Sequence, residues 1–202
     1  MMTVAYYTEG TPYKAEAEAL AATLREYGVP FKVFCRAHPG SWAAANALNA
    51  GVIAEAMALW PGQTILYLDA DARLMAPLHP AVTDGDDYDV GLYFLRGSRR
   101  EPIEGQGELC SGTMVWRPTP AAVSLLAEWQ EILSRPETLR LRGVDQEALQ
   151  MLLAERPGIV RIRRLPDSWC WIDRISEGFH CQGPPVVYHT QASRRHKRAV
   201  GG

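Results

Sequence analysis

The stretch Thr64-Ile65-Leu66-Tyr67-Leu68-Asp69-Ala70-Asp71 decides the fold predicted for this chain. It is apolar at nearly every position up to Leu68, as a parallel strand covered on both faces needs to be. Two carboxylates, Asp69 and Asp71, follow where the strand ends. Side chains two positions apart in extended backbone point to the same side, so both carboxylates can meet one hard cation. The stretch therefore predicts a buried strand that ends in a metal-binding pair.

The residues before this stretch alternate between strand-like and helix-like runs. Thr3–Tyr7 and Phe31–Cys35 are rich in strand-forming residues. Residues 15–27 and 41–59 show helical spacing, and Gly51 interrupts the second run. Strands and helices in this alternating order predict right-handed crossovers in an open, mostly parallel α/β sheet flanked by helices.

The chain continues in the same manner after the carboxylate pair. Four more runs have strand or helix character: 90–95, 112–116, 120–134 and 145–153. We find neither an internal repeat nor a linker. We therefore expect one domain over residues 1–193 and a basic tail over residues 194–202.

The composition is that of an ordinary soluble protein, with 47% apolar and 22% charged residues. A formal net charge of −2 argues against a surface built entirely to grip nucleic acid. The sequence has no apolar run of roughly 20 residues and no signal-peptide pattern at its start. Its four cysteines form no Cys-x-x-Cys pair, which favours reduced thiols and a cytoplasmic location.

Several motifs resemble those of the GT-A-fold glycosyltransferases, in particular small bacterial and phage relatives of the glycogenin-like and nucleotide-diphospho-sugar transferase groups. The resemblance covers most of the chain in the expected order. The motifs that carry it are Tyr7-Thr8-Glu9-Gly10-Thr11-Pro12-Tyr13, Tyr67-Leu68-Asp69-Ala70-Asp71-Ala72-Arg73-Leu74, Cys110-Ser111-Gly112-Thr113-Met114-Val115-Trp116, Val144-Asp145-Gln146-Glu147 and Val187-Tyr188-His189. It implies an open twisted GT-A sheet and a nucleotide-sugar donor such as a UDP-sugar.

The resemblance also implies a metal site. Asp69 and Asp71 match the family's Asp-x-Asp pair, and His189 matches its third protein ligand. Two carboxylates suit Mg²⁺ or Mn²⁺, and one imidazole shifts the preference toward Mn²⁺. A histidine without a ligand role stays the alternative for His189.

The donor contacts that the resemblance implies begin at the first strand, where Tyr7, Thr8 and Tyr13 would hold the base and ribose. Asp69 would contact the donor together with the metal. Arg195 or Lys197 would contact the diphosphate. The family's lysine stands six places after the histidine, but Arg195 occupies that place here, and a solvated tail is the alternative.

Asp145, or less favourably Glu108, would stand near the anomeric carbon as a base or as a stabiliser of positive charge. A helix N-terminal role is the alternative for Asp145, because acidic residues stabilise the first turn of a helix. Many relatives carry a lysine near the start of the helix before the Asp-x-Asp strand. Asn46 and Asn49 stand there instead, so donor contacts in this region are expected to differ.

The implied function is metal-dependent transfer of a hexose or pentose from a UDP- or GDP-linked donor. A chain of 202 residues has little material for a dedicated acceptor domain, so a large acceptor is expected. Hydroxymethylated pyrimidine in phage DNA, a cell-surface glycan and a protein stay open. Two groups of arginines could meet a polyanion such as DNA. They are Arg96, Arg99 and Arg100, and Arg161, Arg163 and Arg164. A nucleotide-binding domain without catalysis is the alternative from another class.

Two further segments are candidates for ligand contact. The acidic run 84–89 could hold Ca²⁺, although its spacing does not match an EF-hand loop, and a solvated turn is favoured. Trp169 and Trp171 precede His189 in a loop-rich stretch and could stack on a sugar or a base.

Overall fold

The computed structural model describes residues 1–96, 107–141, 143–179, 181 and 183–194. The strands, numbered along the chain, are β1 (Met2–Thr8), β2 (Phe31–Arg36), β3 (Ile65–Leu68), β4 (Ala72–Leu74), β5 (Val90–Leu95), β6 (Glu108–Trp116), β7 (Ile162–Arg164), β8 (Trp171–Ile172) and β9 (Val187–His189). The helices are α1 (Tyr13–Glu26), α2 (Trp42–Asn46), α3 (Asn49–Leu59), α4 (Pro80–Thr83), α5 (Pro120–Leu133) and α6 (Val144–Glu155). Short 3₁₀ turns cover Thr138–Arg140, Asp167–Trp169 and Glu177–Phe179.

Six strands form the main sheet in the order β2-β1-β3-β6-β5-β7. β2, β1 and β3 are parallel to one another, and β5 is parallel to β7, whereas β6 runs antiparallel to both of its neighbours. The chain order reverses between β1 and β3. In open α/β sheets, ligands bind beside the carboxyl ends of the strands at such a switch point. The predicted mostly parallel α/β sheet flanked by helices is confirmed.

Both faces of this sheet are covered. One apolar cluster joins side chains of β1, β3 and β6 to α3, α5 and α6. A second cluster on the other face joins alternate side chains of the same strands to α1, β4, β8 and β9. Each residue of β3 is buried, which explains its uninterrupted apolar sequence.

The helical run over residues 41–59 breaks at a different position from the expected one. Gly51 lies inside α3, and the break falls between α2 and α3, at Ala47 and Leu48. The carbonyl of Ala45 accepts the Tyr6 hydroxyl at 2.7 Å and the backbone N–H of Leu48 at 3.1 Å. This tight three-residue turn interrupts the α-helical ladder and places Asn49 at the start of α3.

A second sheet of three strands places β9, the last described strand, beside the end of β3. Its order is β4-β9-β8, and β9 runs antiparallel to β4. Ala72, just after the Asp-x-Asp pair, is the register partner of His189. The small sheet thereby brings together residues more than 100 positions apart in the sequence. None of the helices in the described part of the chain is long and apolar enough to cross a lipid bilayer.

Candidate active site

Three potential metal ligands meet at the carboxyl end of β3. Asp69 and Asp71 follow the strand, and His189 ends β9. One ligand atom from each residue lies within 4.8 Å of the other two. Nδ1 of His189 is 3.5 Å from Oδ1 of Asp71. Two carboxylates and an imidazole form a donor set that suits Mn²⁺ or Mg²⁺.

The backbone fixes both carboxylates. The N–H of Asp69 donates to the carbonyl of Gly112 at 2.9 Å, which ties the end of β3 to β6. Oδ2 of Asp71 accepts the backbone N–H of Ala192 at 2.8 Å. Gln191 has a φ of 55°, and this left-handed turn directs the following N–H back toward Asp71.

Gly112 leaves the space in which these side chains converge. A Cβ at this position would lie 2.9 Å from Cε1 of His189 and 3.1 Å from Oδ2 of Asp69. Both distances are shorter than ordinary van der Waals contact, so even an alanine would displace a candidate ligand. A glycine in a strand often marks such a close approach.

The second ring nitrogen of His189 is also held. Nε2 lies 2.8 Å from the hydroxyl of Thr113, and the histidine is only 4% exposed. A metal-binding histidine commonly bonds through its other nitrogen, which fixes the ring and its tautomer. The donor set, the space at Gly112 and this bond together fit a divalent cation.

The two carboxylates differ in their tendency to ionise. Burial, reinforced by the charge of Asp71, raises the pKa of Asp69 to about 6. Burial acts in the same direction on Asp71, but the hydrogen bond and charge of His189 outweigh it and hold its pKa below the usual value. A cation that neutralises both groups would remove the cost of their proximity.

Asp145 lies beside this centre, in the first turn of α6. Its Oδ2 accepts the side-chain amide of Asn49 at 2.7 Å, and its carbonyl accepts the indole N–H of Trp129 at 3.1 Å. Burial raises the pKa of Asp145 to about 7, with a further contribution from Asp69, while a bond from Ser111 acts in the opposite direction. A carboxyl group with this pKa can exchange a proton near neutrality.

Glu108 stands at the start of β6, which extends past the end of β3. Its Oε1 accepts the amide of Gln146 at 3.1 Å. The structure thus places both candidate catalytic carboxylates along β6 and the first turn of α6. Asp145 is the more buried of the two.

The predicted nucleoside contacts are distributed over two sides of the sheet. Tyr13 begins α1, and burial, followed by the charges of Asp71 and Asp69, raises its pKa to about 12. Thr8 is buried at the end of β1. Tyr7 instead bonds to Cys35 and lines a shallow cavity with residues of α1. Its neighbour Tyr6 points the opposite way, toward α3.

The two tryptophans expected to stack on a sugar or a base are not the most exposed ones. Trp169 is 1% exposed and belongs to the core, and Trp171 is half-buried in β8. Trp42, at the start of α2, is 40% exposed and hydrogen-bonds to Tyr13. Among the described tryptophans, Trp42 is thus the exposed one that adjoins the candidate donor site.

Aspartates of the acidic run 84–89 form ion pairs with arginines of the same chain. Asp89 is buried, and its carboxylate accepts the backbone N–H of Arg161 at 2.9 Å and the guanidinium at 2.9 and 3.1 Å. Asp87 forms an ion pair with Arg163. Both arginines, expected as part of a polyanion surface, thus form ion pairs with the acidic run, and the Arg161 side chain is 57% exposed.

Some of the predicted contacts lie outside the described residues. These are Arg195 and Lys197, expected near the diphosphate, and Arg99 and Arg100, expected at a polyanionic acceptor. Other residues at the site were not selected from the sequence: Tyr6, Tyr67, Gly112 and Thr113. The motifs of the family resemblance contain three of them, Tyr67, Gly112 and Thr113, and Gly112 also gives the local signal of a glycine inside a strand.

The fold is that of the GT-A glycosyltransferases. The family model described as nucleotide-diphospho-sugar transferase matches residues 59–198, more than two thirds of the chain. The chain therefore belongs to the nucleotide-diphospho-sugar transferase family. No curated protein matches it in sequence.

The solved structures with a similar fold include three sugar transferases. A glycosyltransferase involved in the glycosylation of the major capsid of PBCV-1 has a TM-score of 0.68 at 12% identity, over 100% of this chain and 99% of that one. Mouse xyloside xylosyltransferase 1 has a TM-score of 0.56 at 16% identity, over 95% of this chain and 98% of that one. The galactosyltransferase LgtC, in complex with donor and acceptor sugar analogues, has a TM-score of 0.52 at 14% identity, over 95% of this chain and 87% of that one. At these identities the likeness shows the fold alone.

Proposed function

We propose that this protein is a metal-dependent glycosyltransferase that moves a hexose or pentose from a UDP- or GDP-linked donor to an acceptor hydroxyl. The observation that carries the proposal is the convergence of Asp69, Asp71 and His189 around Gly112 at the carboxyl end of β3. Membership of the nucleotide-diphospho-sugar transferase family supports the donor class.

Asp69, Asp71 and His189 would hold Mn²⁺ or Mg²⁺. When bound, a divalent cation neutralises the charge that develops on a diphosphate leaving group. Arg195 and Lys197 are proposed as further contacts to the diphosphate, since they follow His189 closely in sequence.

Tyr13 and Thr8 are proposed to hold the nucleoside, because they border the turn after β1 at the switch point of the sheet. The orientation of Tyr7 toward Cys35 supports a role for this tyrosine in packing the strand rather than in holding the base. Trp42 adjoins Tyr13 and could add a flat aromatic surface.

Asp145 is proposed to act near the anomeric carbon. Its buried carboxylate can accept a proton from an acceptor hydroxyl or stabilise positive charge on the sugar ring. Burial makes such a charge effective, because little water screens it. Glu108 is the second candidate for this role, and its bond to Gln146 places it beside the same turn.

We propose a glycan or protein hydroxyl as the acceptor, in preference to hydroxymethylated pyrimidine in DNA. Ion pairs occupy Arg161 and Arg163, so they offer less charge to phosphates than their sequence positions suggest. Retention on duplex DNA that weakens steeply with salt would favour the DNA acceptor instead.

Thermal unfolding with UDP, GDP, CDP and ADP, each with and without Mn²⁺, tests the donor site. A ligand at 100 times its Kd stabilises the folded state by about 2.7 kcal/mol. We expect one diphosphate to raise the Tm only when Mn²⁺ is present, and Asp71→Asn to lose this increase together with sugar transfer. Asp84→Asn, at an exposed aspartate outside the site, is the matched control.

Full transfer by Asp71→Asn would refute the metal assignment. A metal-dependent Tm increase without transfer to any glycan, protein or DNA acceptor would favour the alternative of a nucleotide-binding domain without catalysis.

A further inference from the structure

A buried chain of hydrogen bonds runs from the candidate metal centre to Asp145. The Tyr67 hydroxyl lies 2.9 Å from Oδ1 of Asp69 and 2.9 Å from Oδ1 of Asn49. The amide nitrogen of Asn49 donates to Oδ2 of Asp145 at 2.7 Å. Tyr6 adds a second hydroxyl, 2.6 Å from Oδ1 of Asn49.

The partners of Asn49 fix the orientation of its amide. The amide nitrogen of Asn49 donates to Asp145, which suits the ionised form of this carboxyl group because a carboxylate can only accept hydrogen bonds. The amide oxygen then faces the two tyrosine hydroxyls. Asn49 is 4% exposed, and an unpaired polar group at this depth is costly. Its contacts with Asp145 and with the two tyrosine hydroxyls therefore restrict its position and, through it, the position of the Asp145 carboxylate.

The hydroxyl protons limit how this chain can be arranged. Tyr67 has one proton for two acceptors, Asp69 and Asn49, and Tyr6 has one proton for Asn49 and the carbonyl of Ala45. If Tyr67 donates to Asp69, Tyr6 can satisfy Asn49. If a cation bound at Asp69 weakens the bond from Tyr67 to Asp69, the Tyr67 hydroxyl can donate to Asn49 instead. The Tyr6 hydroxyl can then donate to the carbonyl of Ala45.

We infer that Asn49 is a positioning residue that sets Asp145 relative to the metal centre, and that Tyr67 links the two groups. This inference rests on the proposed function, because it assigns Asp145 a part in sugar transfer. Asn49 is the first residue of α3, directly after the break between α2 and α3.

The first test compares Asn49→Ala with the wild type. We expect kcat to fall by about 10- to 100-fold, because small displacements of a reacting group have effects of this size. The donor KM and the metal-dependent increase in Tm should stay close to wild type, since Asp69, Asp71 and His189 are unchanged. An unchanged kcat, or a parallel loss of donor binding, would overturn the inference. Asn49→Ser, too short to reach Asp145, serves if the alanine variant does not fold.

A double-mutant cycle separates positioning from a general effect on the fold. If Asn49 acts through Asp145, adding Asn49→Ala to Asp145→Asn should lower kcat by less than about 2-fold, because coupled residues are not additive. A full additional loss would show that Asn49 acts independently of Asp145. If Asp145→Asn transfers at the wild-type rate, the role proposed for Asp145 fails instead, and an inactive wild type would contradict the proposed function itself.

Tyr67→Phe tests the link to the metal centre. It removes the hydroxyl between Asp69 and Asn49 while leaving the bond from Asn49 to Asp145. We expect a reduced kcat. Tyr88→Phe is the matched control, because Tyr88 is 1% exposed and its hydroxyl donates to the carbonyl of Thr83, away from the site. Equal effects of the two substitutions on kcat would refute the link.

Discussion

Replacing Gly112 by alanine gives a sharp test of the site because the change adds one methyl group and removes no ligand. The new Cβ would lie 2.9 Å from Cε1 and 3.2 Å from Nδ1 of His189, and 3.1 Å from Oδ2 of Asp69. Carbon atoms in ordinary contact are about 3.5 to 4.0 Å apart, so the imidazole must move by about half an ångström or more. That movement displaces two candidate ligands of one cation.

Gly91→Ala provides a matched control for the cost of crowding. Its Cβ would lie 3.0 Å from Cβ of Val115 and 3.1 Å from Cδ2 of Leu165, in the same sheet but within an apolar cluster. Crowding of this kind typically costs about 1 to 3 kcal/mol. For a protein of this size, each kcal/mol corresponds to roughly 2 to 4 °C in Tm.

We therefore expect both variants to melt below the wild type in the absence of ligands. With a saturating diphosphate and Mn²⁺, the wild type and Gly91→Ala should each gain about 2.7 kcal/mol at 100 times Kd. Gly112→Ala should gain little or nothing. Differential scanning fluorimetry with and without Mn²⁺ measures this contrast. A full metal-dependent gain in Gly112→Ala would show that the cation, or the nucleotide, binds elsewhere.

Two further predictions concern carboxylates whose pKa values are shifted in opposite directions. Burial raises the pKa of Asp145 to about 7, so the folded state binds more protons than the unfolded state between about pH 4 and 7. As the pH rises through this range, the free energy of unfolding of the metal-free protein should fall by up to about 4 kcal/mol. Urea titrations at a series of pH values should show a smaller pH dependence of this free energy for Asp145→Asn. Hydrogen bonds from Arg161 hold the pKa of Asp89 below its usual value, so this stabilisation is present above the unfolded pKa and is lost as pH falls through the folded one. Asp89→Asn should cost about 1 to 3 kcal/mol at pH 7 and less in acid, and an equal cost at pH 7 and pH 2 would contradict this account.

Local pattern was sufficient for the strand that organises the molecule. The four residues of β3 are buried on both faces, and a strand in that environment must be apolar throughout. The Asp-x-Asp pair after it could be recognised for the same reason, because both features lie in one short segment. The observed β6 starts at Glu108, four residues before the predicted strand, since its first half extends past β3 and has a less regular pattern.

Long-range contacts decide what local pattern could not. Tyr6 and Tyr7 are adjacent aromatic residues in β1, and only the pairing of the strand determines which of them faces α3. The acidic run 84–89 resembles a solvated turn until β7 brings Arg161 and Arg163 beside it. Asn49 gives a weak local signal as a polar residue within an alanine-rich helix, but its three partners come from β1, β3 and α6.

Asp71 joins the candidate metal centre to the fold of the C-terminal segment. Its carbonyl accepts the N–H of Thr190, and its Oδ2 accepts the N–H of Ala192. An asparagine can keep both acceptors because its amide retains one oxygen. An alanine loses the side-chain acceptor and leaves the buried N–H of Ala192 without a hydrogen bond. The same residue therefore gives different information according to the substitution. Asp71→Asn changes mainly the charge offered to a cation, and Asp71→Ala also loosens the turn that holds His189 in place.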